Sequence, residues 1–148
     1  MIVVDVDGLV LGRACSFVAK KALLGEEVVI LNAEKALISG DKDVVLRENL
    51  AKLEIRNKGN YTRGPFHQKR ADRYVRRAVR GMLPFERIRG REAYERVHVY
   101  IGVPVDEVKR DLDVDILKQK KEDLSKQKKR MRRAVTVGDL CKSIGGRW

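Results

Sequence analysis

Aromatic side chains make up only 5% of this sequence, so it lacks the interleaved stacking platform with which many proteins hold single-stranded nucleic acid. Cysteine is scarcer still: Cys15 and Cys141 stand far apart and form no C-x-x-C pair. That excludes a disulfide framework and a cysteine zinc site, and it points to a reducing cytosol. His67 and His98 have no Cys, Asp or Glu at ligand spacing, so no metal is expected. No two carboxylates are spaced for general acid–base work; no catalytic residue is assigned, no cofactor is expected, and the chain reads as a non-enzyme. No apolar run approaches the ~18–20 residues of a membrane span, and MIVVDV opens a strand with no basic leader before it. The expectation is a soluble, cytoplasmic protein with no membrane partner, no small-molecule substrate and no homo-oligomer.

Positive charge is what the chain has in excess. Lys and Arg number 33 against 21 Asp and Glu, a formal charge of +12 and a pI near 10.0. Such a balance favours nucleic acid or another anionic surface as partner. The charge is also divided: residues 1–55 hold slightly more acids than bases, and the excess lies beyond them. A divided protein has a binding side. At 148 residues the chain fits one core domain, expected over 1–104, with a basic, mostly helical C-terminal extension over 105–148.

In chain order, Ile2 to Val6 is a β-branched run and Asp7-Gly8 a turn. Leu11 to Leu24 predicts a helix with Ala14, Cys15, Val18, Ala22 and Leu23 on its apolar side, closed by Gly25. Glu27 to Leu31 reads as a second, fully buried strand, which makes a βαβ unit with a parallel sheet. Ala36 to Ile38 reads as a brief third strand. Asp41 to Ile55 predicts a helix whose apolar side carries Val44, Val45, Leu50 and Leu53. Arg56 to Gln68, RNKGNYTRGPFHQ, is a long loop of the kind that is functional or mobile. A short helix is expected around Glu92 to Arg96, and VHVYI at 97–101 is a strand, the fourth of the sheet. Beyond Pro104, Leu117, Leu124 and Met131 fall on a sparse seven-residue spacing that suits a projecting helix lying on a partner. Lys118 to Arg133 is basic enough to lie on phosphate, and Thr136 with Asp139 resembles a capping box opening a last helix, VGDLCKSI.

The centre of the chain is Gly64 to Pro104. Ala71, Tyr74, Val75, Ala78, Val79 and Met82 recur at helical spacing and form one apolar face, and Pro84 ends the helix. Arg73, Arg76, Arg77 and Arg80 form the opposite face, with Asp72 the one acid nearby and better placed in the first turn. Four like charges without interleaved acids repel one another unless an anion lies across them. Arg63, Lys69 and Arg70 before the helix and Arg87, Arg89 and Arg91 after it continue the run, and arginine suits bidentate phosphate contacts. These ten residues are the expected RNA-binding set. His67 in the basic loop reads as a hydrogen-bonding partner of RNA. The Gly8-to-Arg13 turn lies where phosphate loops occur, but it matches neither G-x-x-x-x-G-K-[ST] nor G-x-G-x-x-G. A nucleotide-binding enzyme built on that turn is therefore the weaker alternative, and a free-standing RNA-binding regulator is another.

Val79-Arg-Gly-Met-Leu-Pro84, Gly90-Arg91 and Val97-His-Val-Tyr-Ile-Gly102 together resemble the signature of the large-subunit ribosomal protein thirteen family. DVDGLVLGRACSFVAKKALLG, VVILNAEKALISG and Gly64-Pro65 with His67 resemble other segments of that family, in the same order. The basic tail resembles its archaeal and eukaryotic branch. The resemblance implies a three-layer α/β/α domain with a four-stranded parallel sheet. It also implies a structural constituent of the large ribosomal subunit that binds large-subunit ribosomal RNA, touches neighbouring ribosomal proteins and takes part in assembly. On the resemblance, Arg80, Arg89 and Arg91 are RNA contacts; the other seven rest mainly on charge.

Overall fold

A computed structural model describes residues 1–60, 62–113, 122, 124 and 131–148. Strand β1 (Ile2–Asp5), helix α1 (Leu11–Leu23) and strand β2 (Val28–Leu31) form the expected βαβ unit, with β1 and β2 parallel. The apolar runs alternate between two faces. Ile2, Val4, Val28 and Ile30 enter the main core with Ala14, Cys15, Val18 and Ala22 of α1, whereas Val3, Val29 and Leu31 enter a second cluster. Both faces of the sheet are covered, which is why its strands read as uninterrupted apolar runs. Strand β4 (Val97–Val99) completes the sheet parallel to β2, in the order β1-β2-β4.

The expectation of four parallel strands is corrected to three. Strand β3 (Leu37–Ser39) is not part of the parallel sheet: Leu37 makes an isolated parallel bridge to Val10, ahead of α1, and the strand pairs antiparallel with β5 (Ala134–Thr136). A 3-10 turn at Ala33–Lys35, entered through Asn32 at φ 57°, turns the chain out of the sheet plane. There Ile38 packs on a small cluster of Val45, Val135, Leu140 and Ile144.

Helices α2 (Lys42–Glu54), α3 (Ala71–Met82), α4 (Ile88–Glu95), α5 (Val105–Leu112) and α6 (Val137–Ser143) are the remaining described helices. Helices α1, α3 and α4 cover one face of the sheet, and Val108 of α5 covers the other. Helix α2 docks more weakly than its sequence implies. Val45 is buried with Leu46 and Leu53 against it, but Val44 and Leu50 are exposed. Helix α4 starts earlier than expected, and Met82 lies exposed at the end of α3. Thr136 Oγ1 accepts the Asp139 N–H at 3.0 Å, so the expected cap opens α6, whose Val137 and Cys141 enter the main core. The projecting-helix expectation over 106–134 falls in part outside the described residues, at 114–121, 123 and 125–130. Leu124, one of its three apolar positions, is buried in the chain's own core, and the Glu122 N–H donates to Val3 O at 3.1 Å on β1.

Candidate nucleic-acid interface

The arginine face begins with local helix chemistry. Asp72 lies in the first turn of α3, where the helix dipole favours an acid, and it pairs with Arg70 at 3.2 Å. Ala71, Val75 and Val79 are fully buried against α1 and the sheet, so the opposite side of the helix must face out. Arg73 and Arg77 do so. Arg76 and Arg80 do not simply point outward, because α4 and the turn before it bring two rings beneath them. The Arg76 guanidinium stands 4.7 Å from the Tyr94 ring centre and that of Arg80 3.9 Å from the Phe85 ring centre. The two rings meet edge to face at 5.4 Å. Arg76 lies about 60° around the helix from Val79, close enough for its Nε to be buried without a hydrogen-bond partner among the described residues.

The ten predicted residues therefore divide. Arg70, Arg76, Arg80, Arg89 and Arg91 are engaged within the chain. Arg89 donates to Leu23 O at 3.4 Å near the end of α1, and Arg91 donates to Phe85 O and Glu86 O, each at 3.4 Å. The side chains of Arg63, Lys69, Arg73, Arg77 and Arg87 are exposed and make no hydrogen bond or ion pair among the described residues. Arg76→Ala should lower stability by about 1–2 kcal/mol, through the lost ring contact and packing, whereas Arg73→Ala should stay within about 0.5 kcal/mol of the parent. Urea denaturation of the two variants checks this, and equal costs would contradict the division.

All of the unengaged cations except Arg73 line three adjoining grooves. Arg56, Lys58, Arg63 and Lys69 border a groove along the loop. It shares Leu53, Phe66 and His67 with a cleft between α2 and α3 that holds Lys52 and Arg77. Arg77 in turn belongs to a third groove, with Arg80 and Arg87 at the α3–α4 turn. Arg56 and Lys58 were not among the predicted residues. Their signal was present, since both stand in the same basic loop.

The alternative phosphate site is closed. Leu9 of the Gly8-to-Arg13 turn is buried, its carbonyl accepts the Leu37 N–H at 2.8 Å, and the Gly8 N–H donates to Lys35 O at 3.4 Å. At the carboxyl ends of the parallel strands, where open α/β sheets bind nucleotides, Asp5 Oδ1 accepts from Asn32 Nδ2 at 2.9 Å. Glu34 accepts the Gly102 N–H there at 3.0 Å, so acids occupy the place a phosphate would need. Burial raises Cys15 to about 12, and burial with Asp72 raises Cys141 to about 12; both thiols stay protonated and unsuited to nucleophilic attack.

His98 packs beside the interface on β4. Burial first, and then the charge of Arg76, lower its pKa below the ordinary 6.5, while Glu27 and Asp111 oppose them. The folded protein thus binds this proton less readily than the unfolded chain. The His98 contribution to stability is complete above about pH 6.5, falls as pH drops through that value and levels off below the folded pKa. Urea midpoints between pH 7.5 and 5 should fall less steeply in His98→Gln than in the parent.

No described helix is long and apolar enough to cross a membrane, and no three His, Cys, Asp or Glu converge among the described residues. The model of the family described as ribosomal protein L13 matches residues 1–106. The large ribosomal subunit protein uL13 of Methanosarcina barkeri is 50% identical over 107 residues, covering 72% of this chain and 74% of that protein. Those of Methanococcoides burtonii and Methanocaldococcus jannaschii are 40% and 39% identical, each over 100% of both chains. With its motifs, its parallel sheet and matches that run the full length of both chains, this protein belongs to the ribosomal protein L13 family.

Proposed function

We propose that this protein is a structural constituent of the large ribosomal subunit, working on the cytoplasmic ribosome and supporting subunit assembly. It binds large-subunit ribosomal RNA through phosphate contacts and touches neighbouring ribosomal proteins. The observation that carries the reading is the run of adjoining grooves lined by Arg63, Lys69, Arg77 and Arg87, with Arg73 exposed on the same helix, where these side chains find no partner among the described residues. Unengaged guanidinium groups on a rigid helix and its flanks meet phosphate without first breaking an internal ion pair. Arg76, Arg80, Arg89 and Arg91 shape that surface and keep their charge beside it. The loop and α3 make the principal contact, with Arg70 held by Asp72 at the entry to the helix. The role is architectural, with no substrate turned over.

Sedimentation of cell lysate through a sucrose gradient tests this. The protein is expected to co-migrate with the large subunit and to remain there through a moderate salt wash. A position at the top of the gradient at low salt would overturn the assignment and favour a free-standing regulator.

A further inference from the structure

The cleft between α2 and α3 has a form that phosphate contacts alone do not require. It encloses about 260 Å³, below the ~300–1,000 Å³ of sites for drug-sized ligands and on the scale of a single heterocycle. Leu53, Ala78 and Ile144 supply apolar lining, and Phe66 stands at its edge, shared with the neighbouring loop groove. Phe66 is 62% exposed, an unusual state for the one phenylalanine in a polar loop. The loop is nevertheless built. Asn57 Oδ1 accepts the N–H groups of Gly59 and Asn60, at 3.1 and 3.2 Å, and Gly64, at φ 137°, packs against the Asn57 backbone and Cβ. The ring is thus held out by a structured turn.

The polar groups of the cleft are equally selective. Asn49 is fixed, donating to Val45 O at 2.8 Å and accepting from Tyr74 Oη at 3.3 Å. The half-buried Gln68 amide makes no hydrogen bond among the described residues, so it retains both a donor and an acceptor. Lys52 and Arg77 stand at the rim. An aromatic face, an apolar floor, an unengaged amide and two cations are the parts list for a base, its edge and its phosphate. We infer that this cleft is a binding site for one unpaired nucleotide of the bound RNA, whose base stacks on Phe66 and presents its edge to Gln68 while Lys52 and Arg77 hold the phosphate. The inference rests on the RNA-binding reading above and adds to it a contact that depends on the base being out of its helix.

The test compares the full chain with Phe66→Ala and Phe66→Trp, the latter with Trp148→Phe, in binding a transcript of large-subunit ribosomal RNA across a salt series. Phe66 is exposed, so the thermal midpoints should stay together. Loss of one stacked base corresponds to roughly a tenfold or greater fall in affinity for Phe66→Ala. The salt slope should not change, because the ring neutralises no phosphate. Phe66→Trp should keep the affinity, and its indole emission should be quenched on binding. Unchanged affinity in Phe66→Ala together with an unquenched indole would overturn the nucleotide site. Unchanged RNA affinity with poor incorporation into subunits would also overturn it and assign the cleft to a protein neighbour. Failure of the parent chain to bind the transcript with salt-dependent affinity is a different result, and it would overturn the phosphate reading itself.

Discussion

Replacing Arg63, Lys69, Arg73, Arg77 and Arg87 with glutamine in one variant is expected to weaken binding to large-subunit ribosomal RNA by roughly three decades near 100 mM salt. The expected thermal midpoint is close to that of the parent. The five side chains are exposed and make no internal hydrogen bond or ion pair among the described residues, so their replacement breaks no such bond there. It also lowers the self-repulsion of a chain carrying +12. The loss of affinity follows from counterion release. Each neutralised phosphate adds about 0.7–0.9 to the slope of log affinity against log salt, so the variant's slope should be shallower by about four. The slope is the sharper readout, since a misfolded protein loses affinity without a defined change in it. A second variant with Arg70, Arg76, Arg80, Arg89 and Arg91 replaced should behave the opposite way, melting earlier because those groups hold an acid, two rings and three backbone carbonyls. If the two sets weakened binding equally with no difference in stability, the partition of the arginine face would be wrong.

That partition was not legible in the sequence, for a reason that applies to other elements too. Helical period placed all four arginines on one outward face, which holds for Arg73 and Arg77, whereas Arg76 and Arg80 are half-buried. It does not tell what the chain brings beneath them, since Tyr94 and Phe85 arrive from α4 and its entry turn. The same limit explains β3. Ala36 to Ile38 announces a strand by composition, but a run of three residues carries no information about which edge it joins, and its partner β5 is the short AVT segment directly after a basic run. Where the apolar pattern is long and two-sided, as in β1, α1 and β2, the reading was secure because both faces must be buried at once. Val44 and Leu50 show the reverse case: apolar residues on a helix whose docking area is too small to cover them. Of the candidate interface, the basic loop and α3 were marked out in the sequence by charge together with the family resemblance. Phe66 was passed over because nothing in GPFHQ distinguishes a ring packed inward from one held out to solvent.

Gly90 makes the strongest case for a single backbone position setting the interface, and Gly90→Ala is expected to lower stability by about 3 kcal/mol or more. A Cβ at this position would fall 2.0 Å from Pro84 O and 2.4 Å from its carbonyl carbon. Neither atom can retreat cheaply. Pro84 O also accepts the Arg87 N–H at 3.0 Å, and Gly90 donates to Arg87 O at 3.0 Å, so the turn is stitched shut at the point of contact. Leu83, just before it, is buried and anchors the end of α3. Relieving the clash means moving α4 away from α3, which separates Phe85 and Tyr94 from Arg80 and Arg76 and displaces Arg87. Gly81 is the matched control, a helical glycine with nothing within 4 Å of the Cβ position. Gly81→Ala should be neutral or stabilising by a few tenths of a kcal/mol, through higher helix propensity and a less flexible unfolded chain. In thermal melts a cost of this size corresponds to a fall of roughly 10 °C for Gly90→Ala against almost no change for Gly81→Ala. Similar midpoints for the two would mean that the α3–α4 turn adapts freely, and that the arginine platform does not depend on the close approach at Gly90.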